Sequence, residues 1–160
     1  MSEERFNAWV SVHLGVLHRI ARAFATGVDR QDLLQELLLT VWRAAPYFRG
    51  ESAETTFIYR VAHNRALTWR RGENQRRKRQ SDYERLYVEE AAAEDPLLNR
   101  LYDAVRQLPP LDRSLLLLSL YDQSYAEIAA IHGLSENNVG VRLTRARVKL
   151  AQIMEKQDGL

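Results

Sequence analysis

Apolar residues recur along this chain at spacings of three and four, with few stretches of strict alternation, a period that reads as α-helix almost throughout. Over residues 4–24 the positions Phe6, Trp9, Val10, Leu14, Leu17, Ile20, Ala21 and Phe24 recur at helical spacing. A second helix is expected after "TGVD", capped by Asp29, with Leu33, Leu34, Leu37, Leu38, Val41 and Trp42 as one wide apolar stripe. Pro46 ends it, because a proline inside a helix lacks the amide and clashes with the preceding turn. A third helix is expected from about Glu54 to beyond Arg71, burying Ile58, Val61, Ala62 and Trp69. These three helices should make one core.

The pattern then lapses. From Gly72 to about Asp95 the chain is a basic run followed by an acidic one, with little apolar surface to bury, and it reads as a connector. Periodicity returns at "DPLLNRLYDAVRQL", where Asp95 and Pro96 form a cap and first turn. A further helix begins around Asp112, and another is capped by Ser124, with Glu127 completing a capping box. The last starts at Ser135 and carries an interior glycine, Gly140, which costs roughly 1 kcal/mol against alanine. The fold class is therefore all-α, two small helical domains over 1–75 and 96–160 joined by a flexible linker over 76–95.

Composition narrows the function. With no cysteine, the chain has no disulfide framework and no thiolate chemistry. No apolar segment approaches the roughly 20 residues that span a bilayer, and the N-terminus lacks the pattern of a secretory signal, so a cytoplasmic protein without membrane insertion is expected. The net charge of +2 conceals segregation: residues 1–80 hold 14 Lys/Arg against 8 Asp/Glu, residues 81–110 hold 3 against 7, and residues 111–160 hold 6 of each. His13, His18, His63 and His132 are too far apart or out of phase for a metal site, and no carboxylate pair or Ser/His arrangement stands out. No enzyme activity and no cofactor are expected.

Three constellations carry chemistry. "SYAEIAAIHG" followed by "LSENNVGVRLTRARVKL" is two helices joined at Gly133, the form of a helix-turn-helix. At 100° per residue Val139, Leu143, Ala146 and Leu150 share a buried sector, and the opposite sector carries Asn137, Val141, Thr144 and Arg145. Asn138, Arg142 and Lys149 flank it on one side, Gly140 and Arg147 on the other. Short polar and methyl-bearing groups can meet base edges while flanking cations reach phosphates. The second constellation, Tyr47 to Arg79, alternates aromatic residues with cations; Phe48 and Arg49 lie in the loop, and Arg60, His63, Asn64, Arg70 and Arg71 are expected on the outward face of the third helix. Rings beside cations suit exposed bases of single-stranded nucleic acid. The third is the polar edge of the second helix, Asp29, Arg30, Asp32, Gln35 and Glu36, open to a protein partner.

The segments "DLLQELLLTVWRAAPYFRGESAETTFIYRVAHNRAL" and "LPPLDRSLLLLSLYDQSYAEIAAIHGLSENNVGVRLTRARVKL" resemble regions two and four of the extracytoplasmic-function group of sigma-70-type RNA polymerase sigma factors. The resemblance covers nearly the whole chain. It implies that Asp32, Gln35 and Glu36 bind the β′ clamp helices of core RNA polymerase, and that Thr40, Ala44, Phe48, Arg49, Arg60, Asn64 and Arg71 meet the minus-ten element, with Phe48, Asn64, Thr40 and Ala44 at a flipped base. It implies that region four sits on the β flap and reads the minus-thirty-five element of promoter DNA through Asn137, Asn138, Val141, Arg142, Thr144, Arg145 and Lys149, and that an anti-sigma factor restrains the free protein. The chain departs from the family at Phe57, Thr68, Gly140 and Val141, the last two replacing a usual cation and hydroxyl. The competing reading is a stand-alone helix-turn-helix regulator whose N-terminal domain dimerises or senses; a nuclease would need clustered metal-binding carboxylates.

Overall fold

The computed structural model of the protein describes residues 2–71 and 95–158. Among these residues there are seven α-helices, one 3-10 turn and no strand. They fall into two compact units, one within Met1–Arg79 and the other within Gln80–Leu160. Of the expected linker over 76–95, only Asp95 lies within the described residues.

The first unit packs three helices against one another: α1 (Glu3–Phe24), α2 (Gly27–Ala44) and α3 (Glu54–Arg71). The expected stripe of α1 is buried at Trp9, Leu17, Ile20, Ala21 and Phe24, and Ser2 caps it by accepting the Arg5 amide. Helix α2 begins two residues before the expected Asp29 cap. Thr26 already takes extended backbone there, and Asp29 falls inside the first turn, where its carboxylate faces the positive end of the helix dipole. The buried stripe of α2 is narrower than expected, Leu33, Leu37 and Val41. Trp42 keeps 42% of its surface exposed and sets its ring edge-on to Phe6 at 4.8 Å. Pro46 sits in the 3-10 turn Ala45–Tyr47 that closes α2.

Helix α3 contacts both α1 and α2. Its buried arc is correspondingly broad, taking in Thr56, Ile58, Tyr59, Ala62, His63, Ala66 and Trp69. The expectation that His63 faces outward is therefore wrong, since it is 0% exposed. Val61 is half-buried.

The second unit contains α4 (Pro96–Val105), α5 (Pro110–Ser119), α6 (Tyr125–His132) and α7 (Glu136–Asp158). Asp95 Oδ1 accepts the Leu97 amide at 2.9 Å, so the expected Asp-Pro opening of α4 holds. Helix α5 starts at Pro110, not Asp112, which falls in its first turn. Arg113, only 1% exposed, turns back from α5: its Nε donates to the Leu108 carbonyl at 2.8 Å and its Nη2 to the Arg106 carbonyl. One buried guanidinium thus ties the connection between α4 and α5. The Ser124–Glu127 capping box opens α6, and Gly133 closes it in the left-handed region (φ 67°).

Helix α7 follows, its first turn capped by Ser135, whose Oγ accepts the Asn138 amide at 3.1 Å. Val139 and Leu143 are both 0% exposed and contribute roughly 1.5–3 kcal/mol each by burial. That outweighs the roughly 1 kcal/mol cost of Gly140. Packing by α4, α5 and α6, more than helix propensity, keeps α7 in place.

Candidate nucleic-acid interfaces

In the first unit, the loop after α2 is tied down by rings. Phe48 lies 5.1 Å from Phe57 of α3 and 5.7 Å from Trp9 of α1, and Trp9 and Phe57 are 6.2 Å apart. Phe48 is therefore half-buried in an aromatic cluster, more constrained than a free loop residue. Trp9 is fixed in turn: its indole N–H donates to Glu54 Oε1 at 3.1 Å, and the Arg5 guanidinium stands over its ring at 5.7 Å. Around Phe48 and Phe57 opens a cavity of about 280 Å³, lined also by Tyr47, Arg49, Glu51, Ser52 and Arg60.

Three of the expected minus-ten residues, Phe48, Arg49 and Arg60, come together at this cavity. Thr40, Ala44 and Asn64 do not line it. Thr40 donates its hydroxyl to the Glu36 carbonyl at 2.6 Å, Ala44 is half-buried and Asn64 is exposed. The side chains of Arg70 and Arg71 lie outside the described residues. Trp9, Tyr47, Glu51 and Ser52 were not singled out from the sequence. Trp9 reads there as plain core, and only the fold brings residue 9 against residue 48.

Along α2, the expected partner-binding edge is uneven. Gln35 is exposed and Asp32 half-buried, whereas Asp29 is 4% exposed and belongs to the interior. Glu36 forms an ion pair with Arg65 of α3 at 3.2 Å, and Arg65 in turn stands 5.8 Å from the Trp69 ring centre. The Glu36 carboxylate thus already braces α2 against α3. Burial lowers the pKa of His13, with the Glu54 charge partly opposing, and its ring meets Tyr59 edge-on at 5.9 Å. Burial also raises the Tyr59 phenol pKa, partly offset by Arg19.

In the second unit, the face of α7 opposite Val139, Leu143 and Ala146 displays Asn137, Val141, Thr144 and Arg145, all exposed as expected. These four line an open concavity of about 580 Å³, together with Tyr125, Glu136 and Gly140. Arg147 and Lys149 are also exposed and Asn138 is half-buried. Arg142 approaches Asp112 of α5 at 3.4 Å, so this cation is shared between the scaffold and the flank of the helix. Beneath α7, Ser114 and His132 form a hydrogen bond of 2.7 Å that the sequence did not disclose, and burial pushes the His132 pKa down to about 4. Ser114 is 0% exposed, so this pair fastens α5 to α6 and offers no hydroxyl to a substrate.

The unit that holds the aromatic, cation-edged cavity and the unit that holds the helix-turn-helix match two parts of one known family, in the same order. Residues 9–77 fit the profile of sigma-70 region 2, and residues 98–150 that of sigma-70 region 4. The chain belongs to the extracytoplasmic-function sigma factors of the sigma-70 type. The ECF RNA polymerase sigma factor SigM of Mycobacterium tuberculosis is 28% identical over 145 residues, spanning 89% of this chain and 73% of that protein. The ECF RNA polymerase sigma-E factor of Escherichia coli strain K12 is 27% identical over 161 residues, 91% of this chain and 84% of that protein. Two solved structures share the fold. The sigma factor RpoE, in complex with the anti-sigma factor NepR from Bartonella quintana, gives a TM-score of 0.68 at 20% identity over 95% of this chain and 98% of that one. CnrH, in complex with the cytosolic domain of CnrY, gives 0.69 at 22% identity over 97% and 90%. In this sigma factor the Phe48 cavity therefore lies in region two and the α7 concavity in region four.

Proposed function

We propose that the protein is a promoter-specificity subunit of RNA polymerase, which brings the core enzyme to its promoters and helps open them without catalysing a reaction of its own. The observation that carries this reading is the coexistence in one chain of a base-sized aromatic cavity edged by Arg49 and Arg60 and a separate helix-turn-helix. A stand-alone regulator of duplex DNA has use for the second alone. No helix among the described residues is long and apolar enough to cross a membrane, in keeping with work alongside the polymerase in the cytoplasm.

Region two holds the core enzyme and the opened strand. Asp32 and Gln35 meet the β′ clamp helices, and Glu36, braced by Arg65, sets the angle of that edge. Opening the duplex requires a few kcal/mol for each unstacked base, and capture on an aromatic ring returns roughly 1–3 kcal/mol. Phe48 supplies the ring, held in position by Trp9 and Phe57, and Arg49, Arg60 and Arg71 neutralise the adjoining phosphates. Thr40, Ala44 and Asn64 form a neighbouring contact surface for the same strand.

Region four sits on the β flap and lays α7 in the major groove. Asn137, Val141, Thr144 and Arg145 face base edges, while Asn138, Arg142 and Lys149 lie toward the phosphates. An anti-sigma factor that occupies these surfaces would keep the free protein silent; of the two solved relatives, one is in complex with an anti-sigma factor and the other with the cytosolic domain of CnrY. Association with purified core polymerase tests the reading. The wild-type chain should co-elute with core, and Asp32→Arg combined with Gln35→Ala should abolish co-elution while leaving the circular dichroism unchanged. A chain that never enters the complex would overturn it.

A further inference from the structure

Tyr125 is the first residue of α6, yet its ring lies against α7. A Cβ added to Gly140 would stand 3.3 Å from Tyr125 Cε2 and 3.7 Å from Cδ2. Gly140 sits within helical backbone and needs no left-handed conformation. The glycine lets the ring approach this closely: a side chain here would require the half-exposed ring to give by a few tenths of an ångström.

Ring, bare backbone and the Val141 methyls together make an apolar floor to the α7 concavity, with Tyr125 42% and Val141 40% exposed. Thr144 already donates its hydroxyl proton to the Gly140 carbonyl at 2.9 Å, so what it can still offer is its methyl group and an accepting oxygen. Asn137, Arg145 and Glu136 line the same hollow. This chemistry selects an occupant. The Glu136 carboxylate disfavours a phosphate inside the hollow, so the DNA backbone belongs beside it, near Arg147 and Lys149. Among the groups on the floor of a major groove, the apolar one is the C5 methyl of thymine.

We propose that the Tyr125–Gly140–Val141 hollow receives a thymine methyl of the minus-thirty-five element. Tyr125 is then a specificity-determining residue contributed by the first helix of the motif, and Gly140 is the residue that admits its ring. The inference rests on α7 being the major-groove helix, as proposed above.

The test uses holoenzyme assembled from core polymerase and the full-length chain. It is presented with a duplex library randomised over the minus-thirty-five segment, and the enriched duplex is remade with deoxyuridine at each thymidine in turn, which removes the methyl alone. At one or two positions this should weaken binding by about fourfold, the effect of burying one methyl group. Tyr125→Phe should keep that sensitivity, whereas Tyr125→Ala and Gly140→Lys should lose it. Deoxyuridine duplexes that bind wild-type holoenzyme as tightly as thymidine ones at every position would overturn the proposal, with no variant required to fold. Undiminished sensitivity in Tyr125→Ala would remove Tyr125 from the contact and overturn its assigned role. Failure to enrich any sequence would instead refute α7 as the reading helix.

Discussion

Arg113 offers the sharpest test of how the DNA-reading unit is held together. Replacing it with Met keeps much of the buried stem but removes the donors to the Leu108 and Arg106 carbonyls, the first of these bonds lying in the interior. A buried carbonyl left without a donor costs roughly 1–3 kcal/mol. Relief from burying a charge offsets part of the combined loss, so Arg113→Met should destabilise the unit by about 2–4 kcal/mol. Arg113→Ala opens a cavity as well and should cost about 2 kcal/mol more. A unit of this length has a total stability of roughly 3–10 kcal/mol, so the alanine variant should be close to unfolded at room temperature. The assay is urea denaturation followed by two signals. All three tryptophans, Trp9, Trp42 and Trp69, lie in the first unit, so their fluorescence reports that unit alone, while circular dichroism reports both. The variants should show an early dichroism transition with an unmoved fluorescence midpoint. If Arg113→Met melts within about 0.5 kcal/mol of wild type, the carbonyls do not depend on the guanidinium and the reasoning fails.

Three further outcomes follow from the same geometry. His132 has a folded pKa near 4 against 6.5 unfolded, so the unfolded chain binds more protons between those values. Stability of the second unit should be full above pH 6.5 and fall as the pH drops toward 4, by about 2 kcal/mol after allowance for partial exposure. His132→Gln should flatten this component, and an unchanged slope in urea midpoints between pH 7 and 5 would contradict it. Phe48→Ala should weaken binding to single-stranded minus-ten DNA by about tenfold or more, the worth of one stacked base, while core association persists; equal loss of both would remove Phe48 from base capture. Arg145→Ala should weaken minus-thirty-five duplex binding by roughly 1–3 kcal/mol in electrophoretic titrations and leave single-stranded minus-ten binding intact. Loss of both activities would contradict the division of labour between the units.

What the sequence disclosed and what it hid have separate physical origins. Asp95 with Pro96, the Ser124–Glu127 box, Gly133 and Ser135 are local signals, each satisfied within one turn of backbone, and all sit where the sequence puts them. The inward face of α7 was legible because its buried residues, Val139, Leu143 and Ala146, fall in one narrow sector of the helix. The orientation of α3 was not. A helical wheel centred on Ile58 turns His63 outward, but α3 is clasped by two helices and buries a wider arc than one stripe predicts. Trp42 errs in the opposite direction, an apolar residue that reads as core but lies at the edge of α2. The Trp9–Phe48–Phe57 cluster and the Tyr125–Gly140 contact join residues distant in sequence, and no periodicity could announce them. Gly140 itself was conspicuous in the sequence, and its reason required the neighbouring helix.

The central claim is that this chain directs core RNA polymerase to promoters through two separate DNA-binding units. Run-off transcription with purified core polymerase on a promoter library tests it most directly. Addition of the folded chain should yield transcripts from a subset of templates that share both a minus-thirty-five and a minus-ten motif, with Phe48→Ala suppressing the transcripts. Core polymerase that gives no sequence-dependent transcript above its own background, with the chain folded and in excess, would contradict the account.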